Sequence, residues 1–127
     1  MSRISILGAG AWGIAICSLL SENGHKLTLW EPDPERAGHL HTEREDLSRL
    51  PNVVIPYDTQ IVSRLEKTAS SAEIICLALP SHAVRQIARE LAKLNLEAEV
   101  ILNLAKGIEN DSLCRMSEVL REELPQT

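Results

Sequence analysis

Phenylalanine is absent from the 127-residue sequence, whose aromatics are two tryptophans and one tyrosine. A buried core must therefore be built from Leu, Ile, Val and Ala. Clusters of basic residues are missing too, and the net charge is −5, which argues against a nucleic-acid or membrane-surface role. No apolar run approaches the ~20 residues needed to span a bilayer. The N-terminus leads straight into a strand pattern and not a signal peptide, so a cytoplasmic location is expected. The three cysteines, Cys17, Cys76 and Cys114, are odd in number and far apart. They form neither a disulfide framework nor a metal-ligand spacing, and no metal site is expected. Cys17 in a helix pattern and Cys76 in an apolar strand read as small buried hydrophobes. Internal repeats, low-complexity tracts and linkers are lacking, which leaves one domain of ordinary composition, 44% apolar and 24% charged.

What the chain does have is a glycine-punctuated opening. Residues 4–7 form an apolar run that stops at Gly8, and Gly8, Gly10 and Gly13 follow in G-x-G-x-x-G spacing before a helix pattern. In such a turn Gly8 lets the chain reverse tightly, Gly10 lets the backbone approach a pyrophosphate, and Gly13 lets the helix lie close on the strand. The free N–H groups of the helix's first turn, beginning at Ala11, would hold the diphosphate at the positive end of the helix dipole. Glu31 closes the next apolar run eighteen residues beyond Gly13, where a carboxylate can accept both hydroxyls of the adenosine ribose. Strand before, helix after and acid at the right distance together indicate a dinucleotide site.

The rest of the chain alternates strand and helix. The pattern predicts helix over residues 11–23 with Gly24 as its C-terminal cap, and strand over 26–31. An Asp33-capped helix with Pro34 at its first position follows, polar and exposed, ending near Ser48. Pro51 and Pro56 exclude a central strand over 50–58, which reads as a surface loop. A third strand is expected over 59–62, and a capping box from Ser63 to Glu66 opens a short helix. The uninterrupted apolar run 74–79 looks like a strand covered on both faces. Pro80 ends it and Ser81 can cap a helix whose stripe is Val84, Ile87, Ala88 and Leu91. A fifth strand over 99–104 and a helix over 112–124 complete the chain. The fold class is thus α/β, a Rossmann-like doubly wound parallel sheet with helices on both faces. Its ligand crevice lies at the carboxyl ends of the strands, where the turns after strands one, four and five meet.

Those three turns read Gly8-Ala-Gly-Ala-Trp-Gly13, Leu79-Pro-Ser-His-Ala83 and Ala105-Lys-Gly-Ile-Glu109. Together with Asn23-Gly-His-Lys-Leu-Thr-Leu-Trp30, Asp33-Pro-Glu35 and Ser117-Glu-Val-Leu120, they resemble the N-terminal domain of bacterial NAD(P)-dependent glycerol-3-phosphate dehydrogenases. The resemblance covers almost the whole chain. It implies reversible reduction of dihydroxyacetone phosphate to sn-glycerol 3-phosphate for phospholipid synthesis. It also implies that the backbone after Gly10 and the Trp12 position contact the cofactor, and that Lys106 lies near nicotinamide and substrate oxygens. An ammonium there would neutralise developing oxyanion or phosphate charge; read alone, Lys106 is a solvated turn lysine. Pro80 and Ser81 are wall residues, and His82 is a surface histidine at a helix start.

Relatives that accept NADPH often carry an arginine just after strand two. Here Glu31 and Pro32 stand in that region, with no arginine before Arg36, so NAD is expected to be preferred over NADP. Members of the family are two to three times as long, with an all-helical C-terminal domain that supplies a general acid/base lysine, and the complete enzyme is expected to be a homodimer. A cofactor domain over residues 1–127 without that second domain is expected to be inactive alone. The other readings are a stand-alone NAD-binding or sensing module, another dehydrogenase of the 6-phosphogluconate dehydrogenase-like or ketopantoate reductase-like kind, and a purely structural interaction domain.

Overall fold

The computed structural model describes residues 1–125; residues 126–127, expected near the junction with a second domain, lie outside it. Ten elements alternate along the chain: β1 (Arg3–Leu7), α1 (Ala11–Glu22), β2 (Lys26–Trp30), α2 (Pro34–Glu43), β3 (Gln60–Val62), α3 (Leu65–Ala69), β4 (Ile74–Leu77), α4 (Ser81–Ala92), β5 (Val100–Asn103) and α5 (Met116–Glu123). The strands form one sheet in the order β3-β2-β1-β4-β5, parallel at every pairing. The order reverses at β1, which lies at the centre. Register brings Val62, Trp30, Leu7, Leu77 and Asn103 into one row, so the turns after β1, β4 and β5 emerge along one edge.

Side chains alternate across the pleat, and each face has its own aliphatic layer. Ile4, Ile6, Leu27, Leu29 and Cys76 face Ile14 and Cys17 of α1 and Leu40 of α2. Leu7, Trp30, Ile75 and Leu77 face Ala69 of α3, Val84, Ala88 and Leu91 of α4, and Met116 and Val119 of α5. Each fully buried aliphatic contributes about 1.5–3 kcal/mol, and a row of them compensates for the missing phenylalanine. Val100 and Leu102 on the outer strand β5 remain half exposed. They lie on the α1 face, in register with Ile74 and Cys76.

The structure corrects four details. Helix α2 stops at Glu43, where Arg44 turns left-handed at φ 60°, and the residues that follow are not an exposed helix: Arg44 and Asp46 are buried. Arg44 donates to the carbonyls of Pro56 (3.1 Å) and Thr59 (2.8 Å), clamping the proline loop, and Ile55 of that loop is fully buried. The Ser63 capping box does not form; α3 starts one residue later behind Arg64, with no side-chain cap. Pro80, not Ser81, takes the N-cap position of α4. Helix α5 begins at Met116 and not Ser112, because residues 108–115 close on themselves through an Ile108–Arg115 bridge.

Candidate functional site

Gly8 has φ +113°, and a Cβ built there would stand 2.3 Å from the Ala78 carbonyl oxygen. A side chain is therefore barred both by backbone angle and by the neighbouring β4 turn. At Gly13 a Cβ would stand 1.8 Å from the Gly8 carbonyl oxygen, so the first turn of α1 rests directly on the glycine turn. Gly10 differs: nothing lies within 4 Å of its Cβ position. It takes the N-cap of α1, no side chain caps that end, and no acid sits in the first turn. The result is an uncapped helix N-terminus aimed into free space, the arrangement that suits an anion.

That space is a cavity of about 430 Å³ lined by Gly10, Ala11, Trp12, Ala78, Leu79, Pro80, Leu104, Ala105 and Lys106. The turns after β1, β4 and β5 meet there because Leu7 accepts Ala78 N–H (2.9 Å) and Leu77 accepts Leu104 N–H (3.0 Å) across the sheet edge. Trp12 is 54% exposed at the mouth. Lys106 is exposed and forms no ion pair with a carboxylate among the described residues. Its turn is held from behind. Glu109 accepts two hydrogen bonds from Arg85 of α4, at 2.7 and 2.8 Å, and a third from Ser112. These bonds, Arg85 first, lower the Glu109 pKa to about 2. Arg85 also reaches Glu123 of α5 at 2.7 Å, so one guanidinium ties α4, the Lys106 turn and α5 together.

Of the residues singled out in the sequence, Gly10, Ala11, Trp12, Pro80 and Lys106 line this cavity; Gly8 and Gly13 do not line it but pack against Ala78 and against each other. Ser81 stands behind it, its Oγ 3.4 Å from the position a Gly107 Cβ would take. His82 is exposed and lines no part of it. Leu79 and Ala105 belong to the wall, and only their flanking of Pro80 and Lys106 signalled them.

Glu31 lies outside this cavity, at the end of β2. It is buried and already engaged: Oε2 accepts Asp33 N–H at 3.1 Å, and Oε1 is ion-paired with Arg36. Arg36 and its second acid, Asp46, escaped sequence reading, because nothing in the spacing of a polar run distinguishes a paired buried charge from a solvated one.

The chain resembles known proteins along its whole length. It is 37% identical to glycerol-3-phosphate dehydrogenase [NAD(P)+] of Fusobacterium nucleatum over 99% of this chain and 38% of that protein. With the enzyme of that name from Chlorobium luteolum it shares 42% identity over 97% of this chain and 37% of the relative. The crystal structure of glycerol-3-phosphate dehydrogenase from Coxiella burnetii superposes with a TM-score of 0.88 at 28% identity, covering 98% of this chain and 38% of that one. The chain thus spans under two-fifths of the length of these relatives. The family described as NAD-dependent glycerol-3-phosphate dehydrogenase N-terminus matches residues 3–127. The match covers almost the whole chain, and the chain belongs to that family.

Proposed function

We propose that the chain is the NAD(H)-binding part of an enzyme interconverting dihydroxyacetone phosphate and sn-glycerol 3-phosphate, with NAD preferred over NADP. The observation that carries this reading is the bare N-terminus of α1, open above Gly10 and packed tight below at Gly13. A diphosphate fits there: the first-turn amides from Ala11 onward point at it, and a methyl at Gly10 would occupy its place. A dinucleotide held there would donate the hydride in reduction and accept it in the reverse direction. The residues of this chain orient it: Trp12 and Pro80 wall the cavity, and Glu31 stands where the ribose hydroxyls are met. Lys106 offers an ammonium to substrate phosphate or hydroxyl oxygens at the same mouth.

By resemblance, proton transfer comes from a lysine of a further helical domain, and the complete enzyme is a cytoplasmic homodimer without membrane insertion. Among the described residues, no helix is long and apolar enough to cross a membrane. Calorimetric titration of NADH and NADPH into the 127-residue chain tests the cofactor reading. NADH should bind more tightly, and equal or tighter NADPH binding would overturn the preference. In a longer enzyme carrying these residues, Lys106→Ala should lower kcat/KM by about 10²-fold, as expected when one charge-stabilising donor is removed. An unchanged kcat/KM would exclude Lys106 from the reaction.

A further inference from the structure

Three charged side chains from three segments meet at the carboxyl end of β2. Glu31 follows the strand, Arg36 projects from α2, and Asp46 comes from the loop beyond that helix. Their side chains are only 10%, 19% and 11% exposed. Arg36 Nη1 donates to Glu31 Oε1, while Nη2 donates to Asp46 Oδ2 at 2.6 Å and to the Ala9 carbonyl at 2.7 Å. Ala9 lies between Gly8 and Gly10, so the guanidinium is anchored to the glycine turn itself. Asp46 is in turn fixed by Ser48 Oγ (2.8 Å) and Arg49 N–H (3.3 Å) on its other oxygen. Burial opposes its ionisation, but the bonds from Arg36 and Ser48 outweigh that and hold its pKa below the ordinary value.

Glu31 with Arg36 is a neutral pair, and a neutral pair does not repel a phosphate. The third member tips the balance: two nearly buried carboxylates share the one buried guanidinium, and the next cation, the half-exposed Arg49, stands 3.9 Å from Asp46 Oδ2. Asp46 also occupies the Nη2 group that could otherwise turn to a phosphate oxygen, since a guanidinium recognises carboxylate and phosphate by the same two-pronged geometry. We propose that Asp46 is the positioning residue that sets the preference for NADH over NADPH, by holding Arg36 against Glu31 and away from a 2′-phosphate. This rests on the dinucleotide reading above. It assigns discrimination to a residue fifteen positions beyond the ribose-binding acid.

The test is titration of NADH and NADPH, which differ only by the 2′-phosphate, into the wild-type chain, D46N, D46E and the double variant R36Q/D46N. D46N should tighten NADPH relative to NADH by about tenfold, the worth of one hydrogen bond to a charged group. D46E should restore the wild-type ratio, and the double variant should lose the gain, because the freed guanidinium is its source. A D46N ratio within about twofold of wild type overturns the proposal, as does a shift that survives removal of Arg36. If D46N does not fold, D46S takes its place in the same titration. It removes the same carboxylate from Arg36 Nη2, and an NADPH-to-NADH ratio within about twofold of wild type overturns the proposal. Absence of binding by either dinucleotide to wild type would instead sink the dinucleotide reading itself.

Discussion

Gly10 and Gly13 stand three positions apart on one turn, yet a methyl group at each would meet opposite fates. At Gly13 it would press on the Gly8 carbonyl oxygen from 1.8 Å, and α1 would have to lift off the sheet. Gly13→Ala should therefore destabilise the fold by about 3 kcal/mol or more, a Tm loss of roughly 10 °C for a domain of this size. At Gly10 the same methyl would meet no atom within 4 Å, and the backbone there is extended, φ −80° and ψ −170°. Gly10→Ala should cost about 1 kcal/mol or less in stability, because alanine is only a poorer helix cap. It should weaken NADH by at least about tenfold, the equivalent of about 1.4 kcal/mol. Thermal melts and calorimetry on the two variants separate the roles. A Gly10→Ala protein that binds NADH like wild type would mean that no diphosphate lies over this turn. The division of labour was readable in the sequence, since the spacing of the three glycines already assigns one to approach and one to packing.

Among the elements, α4, α5 and the Lys106 turn depend on one another through Arg85. The guanidinium lies between Glu109 and Glu123, with Glu122 at 2.8 Å as well. Glu109 shows this most clearly, its pKa falling from 4.5 to about 2 in the fold. A carboxylate whose pKa is lowered by folding adds stability that is complete above its unfolded value and is lost as acid protonates it. The contribution of Glu109 should thus fade between pH 4.5 and about 2. The difference in Tm between wild type and Glu109→Gln should be largest above that window and vanish at its lower end; a difference independent of pH would show that Glu109 is not held ionised by Arg85. The same pairing explains why α5 starts late. Leu113 and Met116 share a helical stripe on paper, but Glu109 is drawn to α4 and the loop closes at Arg115, leaving Leu113 at φ 60° and exposed. Likewise Arg44 reads as one more polar residue of α2, although the carbonyls that bury it belong to Pro56 and Thr59. Periodicity reports which face of an element is apolar; it carries no record of an ion or carbonyl brought in from another part of the chain.

At the scale of the whole molecule, the topology was legible because β1, β2 and β4 announce themselves as apolar runs closed by Gly8, Glu31 and Pro80. The candidate site was legible where backbone shapes it, at Gly8, Gly10 and Gly13, whereas the buried ion cluster of Arg36 and Asp46 was not. One consequence of the scarce aromatics remains. The two indoles occupy opposite environments: Trp12 is exposed at the cavity mouth, whereas Trp30 is 6% exposed with its N–H donated to the Ser63 carbonyl at 3.1 Å. The molecule thus carries two optical reporters with separate duties. Energy transfer to reduced nicotinamide falls steeply with distance, so the wet indole at the cavity mouth should be quenched more strongly than the dry one, whose own large change should come on unfolding. In Trp12→Phe the fast, saturable NADH response should shrink sharply and the unfolding transition should keep its full amplitude. A response of undiminished size would place the nicotinamide away from Trp12.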